Sequence, residues 1–121
     1  MSDHLDAAFL TSLLPEDHAE AAGLLDDLIQ ACSQSAAELV STLLAACHAK
    51  DAATLRQAAH SLKGAGLSLG ARRLAEICLD VESRTSEQDW PALESRVKDA
   101  QLEVSAVERD LRVFRKDIAG P

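Results

Sequence analysis

The sequence has 121 residues, of which 47% are apolar and 26% charged, and this length suits one domain over residues 1–121 with its own hydrophobic core. The formal net charge of −8 argues against nucleic acid as a partner. No apolar run approaches the roughly 20 residues of a membrane-spanning helix, and no basic segment precedes an apolar stretch at the N-terminus, so we expect neither membrane insertion nor a signal peptide.

The composition is typical of an all-α protein. The chain has no Tyr and only two Phe, and its apolar residues are mostly Ala and Leu, which favour helices over strands. The three cysteines, Cys32, Cys47 and Cys78, match neither a disulfide framework nor a zinc pattern. We expect them to be buried free thiols of a cytoplasmic protein.

Two helices are predicted in the first half of the chain. A short helix over about residues 5–14 ends before Pro15, because proline interrupts a helix. Its apolar residues are Phe9, Leu10, Leu13 and Leu14. A long helix over about residues 18–48 has an apolar stripe at helical spacing, formed by Leu24, Leu28, Cys32, Ala36, Leu39, Leu43 and Cys47, with Leu25, Ile29, Val40 and Leu44 alongside.

Three further helices are predicted in the second half. The third, over about residues 52–68, follows Asp51, a favourable N-cap, and ends before Gly70. The fourth covers about residues 71–84 and the fifth about residues 90–117. The fifth carries the most regular pattern, with apolar residues at alternating steps of four and three: Leu93, Val97, Ala100, Val104, Val107, Leu111 and Phe114.

This regular seam can pair with a second chain or with the other helices of the same chain. Three other amphipathic helices need partners for their own stripes, which favours pairing within the chain. We therefore predict a monomer that folds as an antiparallel four-helix bundle with up-down-up-down topology, with the short first helix capping one end.

The charges are unevenly distributed along the chain. Residues 1–49 hold eight acidic residues and no Lys or Arg, whereas the remainder has twelve of each sign. Between Asp51 and Glu76 there is no acidic residue, and this interval contains His60. Four bases lie in the same interval: Arg56, Lys63, Arg72 and Arg73. The acidic chain therefore has one locally basic segment, and His60 is part of it.

A helical wheel of the third helix turns His60 away from the core. With Leu55 at the centre of the apolar stripe, His60 lies at about 140° and Gly64 at about 180°. Glycine inside a helix costs roughly 1 kcal/mol relative to alanine. Gly66 lies on the buried face, where it allows close packing, but Gly64 has no packing purpose. The missing side chain at Gly64 would let another surface approach the imidazole closely.

Three neighbours on this outward side suit a partner that carries an anionic group. Arg56 and Lys63, at about 100° and 80°, can attract such a group through charge and hydrogen bonds. Leu67, at about 120°, is an apolar side chain of the kind that protein interfaces use. We therefore predict that this face of the third helix meets a partner.

The stretch from His60 to Glu82 resembles the signature of histidine-containing phosphotransfer (HPt) domains. It begins His-Ser-Leu-Lys-Gly-Ala-Gly at residues 60–66, continues with Leu-Gly-Ala at 69–71, and has Leu74. Cys78 and the pair Val81 and Glu82 also fit the usual continuation.

The resemblance implies roles for four residues. His60 would be phosphorylated, Lys63 would stabilise the phosphoryl oxygens, and Gly64 would leave room for the partner's aspartate. Glu82 matches a position that is a glutamine near the histidine in some members. A carboxylate at this position either orients the imidazole or is solvated.

The resemblance also implies partners and cofactors. Response regulator receiver domains and a hybrid sensor histidine kinase would exchange the phosphoryl group with His60 reversibly. We expect Mg²⁺ to belong to the receiver and this chain to bind no cofactor, metal or ATP, since its glycines form no phosphate-binding pattern. His4, His18 and His48 have no metal-ligand partner four residues on and are expected to be solvated.

Three alternatives remain at this point. A histidine kinase dimerisation domain also carries a phosphorylated histidine, but no ATP-binding domain follows here and no proline follows the His60 motif. The phosphotransfer segment of a chemotaxis-type kinase has a similar motif, although a short chain that begins with Met1 favours a stand-alone protein or an excised module. In a helical binding module, His60 would be incidental and the acidic first half would be the working surface.

Overall fold

A computed structural model describes residues 3–119, which form five α-helices and one short 3₁₀ turn. The helices are α1 at Ala7–Leu13, α2 at His18–Ala49, α3 at Ala52–Ser68, α4 at Arg72–Arg84 and α5 at Trp90–Ala119, and the 3₁₀ turn is Thr85–Glu87. No strand occurs in this range, so the all-α prediction is confirmed. Within the same residues no helix has both the length and the apolar character needed to cross a membrane.

Local sequence signals set both ends of α3. The carboxylate of Asp51 accepts a hydrogen bond from the Thr54 N–H at 3.2 Å, which confirms the predicted N-cap. Gly70 adopts φ +71°, a conformation that glycine tolerates without strain. The Ala71 N–H then donates to the Gly66 carbonyl at 2.8 Å and closes the helix end. This tight reversal leads directly into α4, which packs along α3.

The long helices share one core. Helices α2 and α4 each pack against both α3 and α5. The seam predicted for α5 is confirmed, because its first six members are buried and Phe114 is partly buried against the same core. Fully burying one leucine stabilises the fold by about 1.5–3 kcal/mol. The largest fully buried leucines come from all helices except α4: Leu10, Leu25, Leu43, Leu55, Leu62, Leu93 and Leu111.

Helix α1 is anchored to the turn between α3 and α4. The Asp6 N–H donates to the Gly70 carbonyl at 3.1 Å, and the Asp6 carboxylate accepts from Arg72 at 3.0 Å. Leu10 is buried in the common core with 1% of its surface exposed. The N-terminal segment is therefore held by backbone, charge and apolar contacts together.

Two predictions about the first half of the chain need correction. The first helix is shorter than predicted, because Asp6 caps it by accepting from the Phe9 N–H at 3.0 Å and the helix therefore begins at Ala7. Near the start of α2, Leu24 was expected within the apolar stripe but is exposed, whereas Leu25, expected beside the stripe, is buried. The core-facing side of α2 is rotated toward the flanking positions, because Leu25, Ile29 and Val40 are buried whereas Leu28 and Leu39 are only partly buried. The exposed Asp26 pairs with Arg115 of α5 at 2.9 Å.

A third correction concerns His4, which was expected to be solvated. Its Nδ1 lies 2.6 Å from Oε2 of Glu103, a carboxylate of α5 with only 6% of its side chain exposed. Arg73 approaches the other oxygen of Glu103 at 3.6 Å. Buried carboxylates need such partners, so His4 belongs to the packed structure rather than to a solvated end. His18 and His48 are exposed, as predicted.

The three cysteines are free thiols, as predicted. Cys47 and Cys78 are buried, whereas Cys32 is only partly buried. Burial raises the pKa of the Cys78 thiol to about 12, and the nearby Glu82 charge adds to the effect. Cys78 therefore stays protonated near neutral pH.

Candidate functional site

His60 lies in the middle of α3 and points away from the core. Its side chain is 68% exposed, whereas its sequence neighbour Ala59 is fully buried. The outward orientation predicted by the helical wheel is therefore confirmed. Because the ring is held on a helix capped at both ends, its position is set by the backbone rather than by a mobile loop.

A carboxylate of the neighbouring helix holds the imidazole. Oε1 of Glu82, in α4, lies 3.0 Å from Nδ1 of His60. The other carboxylate oxygen, Oε2, accepts a hydrogen bond from Nζ of Lys63 at 2.8 Å. One Glu82 side chain thus links two residues of α3 that are one helical turn apart. The Glu82 side chain therefore contacts His60 directly and is not simply solvated.

The electrostatics of this triad favour an ionised carboxylate. Donation from Lys63, supported by donation from His60, lowers the pKa of the Glu82 carboxyl despite its partial burial. Only about a fifth of each of the Glu82 and Lys63 side chains is exposed, so water screens this pair incompletely. A charged Glu82 favours a proton on Nδ1 of His60, which leaves the lone pair on Nε2.

The two glycines of the motif occupy opposite environments. A Cβ added to Gly64 would meet no atom within 4 Å, so this position is open. A Cβ added to Gly66 would lie 3.3 Å from the Ala71 carbonyl oxygen and 3.5 Å from the Ala75 nitrogen. Gly66 therefore allows α3 and α4 to pack closely, and Gly64 leaves a gap in the surface one turn beyond His60.

The other predicted partner-binding residues surround this gap or extend along the helix. Leu67 is 54% exposed, one turn beyond Gly64. Arg56 is exposed one turn before His60 and makes no ion pair within 4 Å among residues 3–119. The structure therefore brings His60, Lys63 and Glu82 into contact and leaves Arg56 and Leu67 as exposed neighbours without a direct bond to the imidazole.

Two features of the site were not found from the sequence. The bond between Lys63 and Glu82 joins residues of different helices, and spacing along the chain carries no signal for it. Leu79, in α4, is 52% exposed and lies one turn before Glu82. A wheel of the fourth helix could have placed Leu79 outside the stripe formed by Leu74, Cys78 and Val81.

This arrangement suits nucleophilic chemistry at an exposed nitrogen. With Nδ1 bonded to Glu82, the lone pair of the ring is left on Nε2, which can act as a nucleophile. Among the described residues, no group of three or more His, Cys, Asp or Glu side chains could hold a metal ion. The assignment of Mg²⁺ to a partner stays a prediction.

Comparisons with known proteins agree with this geometry. The family described as "Hpt domain" matches residues 27–110, a range that includes all of α3 and α4. The crystal structure of histidine-containing phosphotransfer protein B (HptB) from Pseudomonas aeruginosa PAO1 is similar to this chain, with a TM-score of 0.77 and 29% sequence identity. That similarity covers 95% of this chain and 96% of the other. A search of curated proteins found no match.

Proposed function

The chain belongs to the Hpt domain family, a family of phosphotransfer carriers rather than kinases, and we propose on this premise that His60 is the residue that carries the phosphoryl group. The chain is a histidine phosphotransfer protein in phosphorelay signalling. The observation that supports the assignment of His60 is its exposed ring, whose Nδ1 is bonded to Glu82. None of the other three histidines lies in α3.

The proposed reaction begins at Nε2 of His60. This nitrogen attacks the phosphorus atom of an aspartyl phosphate on a receiver domain, from the side opposite the aspartate oxygen. The N–P bond forms as the P–O bond breaks, and the aspartate carboxylate leaves with the bonding electron pair. Transfer to a second receiver reverses these changes.

Glu82 is a positioning residue in this proposal. The imidazole gains positive charge as Nε2 forms the new bond, and the carboxylate at 3.0 Å from Nδ1 stabilises that charge. The same hydrogen bond fixes the tautomer and limits rotation of the ring. These two effects require no movement of Glu82 during the reaction.

Lys63 and Gly64 act on the partner's side of the ring. Lys63 has two further N–H donors beyond the one that Glu82 accepts, and these can meet phosphoryl oxygens one turn from His60. The open space at Gly64 lets the receiver's aspartate approach Nε2. Arg56 adds positive charge near the site, and Leu67 adds an apolar contact.

The partners follow from this chemistry. We propose a hybrid sensor histidine kinase, through its receiver domain, as donor and a response regulator as acceptor. The receiver supplies Mg²⁺, and catalysis is shared between the two proteins, since this chain contributes one imidazole, one lysine and one carboxylate. We propose that the chain has no ATP site of its own.

We also propose how the helices are arranged and where the protein acts. The contacts of α2 and α4 with both α3 and α5 support an antiparallel up-down-up-down bundle, and the bonds of Asp6 to Gly70 and Arg72 support α1 as a cap at one end. Burial of the α5 seam within the chain supports a monomer. The free cysteines are in keeping with the cytoplasm.

The proposal is tested by phosphotransfer from a receiver domain charged by its kinase. Wild-type protein is expected to acquire acid-labile, base-stable label, and His60→Gln is expected to acquire none. His48→Gln is the matched control, because His48 is also an exposed helical histidine. If His60→Gln accepts label as wild type does, His60 is not the phosphorylated residue.

A further inference from the structure

Two of the exposed apolar side chains lie on the same helices as the proposed site. Seven large apolar residues are exposed among those described: Phe9, Leu13, Leu24, Leu67, Leu79, Leu102 and Val113. Only Leu67 and Leu79 lie on the two helices that carry His60, Lys63 and Glu82. Single exposed leucines are ordinary, but these two lie on the helices that form the proposed site.

Helical geometry places both leucines above the seam between α3 and α4. In α4, with Leu74 at 0°, the buried Cys78 and Val81 lie within about 40°, Glu82 at about 80° and Leu79 at about 140°. Glu82 reaches across to α3, so Leu79 lies on the α3 side and is turned outward. In α3, Leu67 and His60 lie at about 120° and 140° on the side that faces α4.

The register of the two antiparallel helices brings Leu79 beside the gap at Gly64. His60 lies opposite Glu82, and Gly66 lies against Ala75. Leu79 is therefore level with Lys63 and Gly64. From His60, it lies one helical turn further along the helix axis and on the adjacent helix. With a pitch of 5.4 Å and an interaxial spacing of 8–10 Å, this separation is roughly 10 Å.

We propose that a receiver domain docks across α4 as well as α3, with Leu79 as a binding residue that pairs with Leu67 on either side of the Gly64 gap. The inference rests on the proposed function, because any folded domain whose aspartate reaches His60 must cover this gap. A domain of 100 residues has a radius of gyration of about 13 Å, so its surface extends over residues roughly 10 Å from the reacting atom. Leu79 lies within this contact area, so the domain that covers it is the receiver.

The test measures transfer from a phosphorylated receiver at increasing receiver concentration, using a receiver that exchanges phosphoryl groups with the wild-type chain. Leu79→Ser and Leu67→Ser should each raise the half-saturating receiver concentration about five- to tenfold, because only about half of each leucine side chain is exposed and available for burial against the receiver. The maximal transfer rate should change less than about twofold, since neither side chain touches the reacting atoms. Leu102→Ser is the matched control, because Leu102 is 71% exposed on α5, away from α3.

A second donor separates docking from chemistry. Phosphoramidate, a small donor without a docking surface, should label His60 equally fast in wild type and Leu79→Ser. If Leu79→Ser behaves like Leu102→Ser with the receiver, docking does not reach α4, and the role of His60 is untouched. If Leu79→Ser instead converts a dimer to a monomer at unchanged half-saturation, the surface joins two copies and the proposal is wrong. If His60→Gln still accepts label, the proposed function itself fails.

Discussion

Replacing Glu82 by glutamine tests how the carboxylate acts on His60. The amide keeps the size of the side chain, and its oxygen can still accept a hydrogen bond from Nδ1. What it removes is the negative charge 3.0 Å from the ring nitrogen. The proposed reaction places positive charge on this ring, so the variant should phosphorylate more slowly even though the imidazole keeps its orientation.

The expected magnitude follows from the exposure of the two groups. Unit charges about 4 Å apart interact by about 1 kcal/mol in water and about 4 kcal/mol near a protein surface. The His60 ring is 68% exposed and Glu82 is 22% exposed, so we expect a value near the aqueous limit, about 1–2 kcal/mol. This corresponds to a phosphorylation rate about five- to thirtyfold lower.

The assay uses phosphoramidate at pH 8, a small donor, so that no partner docking contributes to the measured rate. Glu76→Gln is the matched control, because Glu76 is an exposed carboxylate of the same helix. Glu82→Gln also releases Lys63, so the substitution is repeated in a Lys63→Met background as a double-mutant cycle. A rate equal to wild type would refute the electrostatic role of Glu82, and an effect that disappears in the Lys63→Met background would mean that Glu82 acts through Lys63.

The remaining predictions concern stability and reactivity. Gly64→Leu should stabilise the fold by up to about 1 kcal/mol in urea unfolding while blocking transfer from a receiver. Gly66→Leu should destabilise the fold by about 1–3 kcal/mol, because the new side chain meets the backbone of α4. Equal effects of the two substitutions on stability would contradict this contrast. Leu10→Ala should lower the free energy of unfolding by about 2–5 kcal/mol, whereas an unchanged value would show that α1 detaches from the core. Because the pKa of Glu82 is lowered in the folded state, the contribution of its carboxylate to the free energy of unfolding is present above the unfolded-state pKa and is lost as the pH falls through the folded-state pKa. The stability difference between wild type and Glu82→Gln should therefore shrink between pH 7 and pH values below the ordinary carboxyl pKa of about 4. A constant difference would contradict this prediction. Burial raises the pKa of both the Cys32 and the Cys78 thiol, but Cys32 is only partly buried, so it should react with a thiol reagent at pH 8 well before the buried Cys78. Modification of both at the same rate would show that the core opens readily.

Much of the site was predictable because it depends on one helix. The direction of each side chain in α3 follows from a repeat of 3.6 residues and from the stripe that faces the core. Burial of Leu55, Leu62 and Gly66 therefore implies the exposure of His60, before any other helix is considered. The same reasoning predicted the buried seam of α5 and the N-cap at Asp51.

Contacts between helices could not be predicted in this way. Glu82 lies 22 residues after His60, and His4 lies 99 residues before Glu103, so local spacing carries no information about either pair. Whether Leu24 or its neighbour Leu25 is buried likewise depends on how α2 is rotated against the other helices.

The sequence by itself determined that the protein is helical, that His60 faces outward and that Gly64 leaves a gap beside it. Only the tertiary structure decided that Glu82 holds both Nδ1 of His60 and Nζ of Lys63. The physical reason is that helical periodicity is a local property of the chain, whereas contacts between helices depend on their relative rotation and register. That register is set by close packing, and here it depends on the approach of Gly66 to the backbone of Ala71 and Ala75.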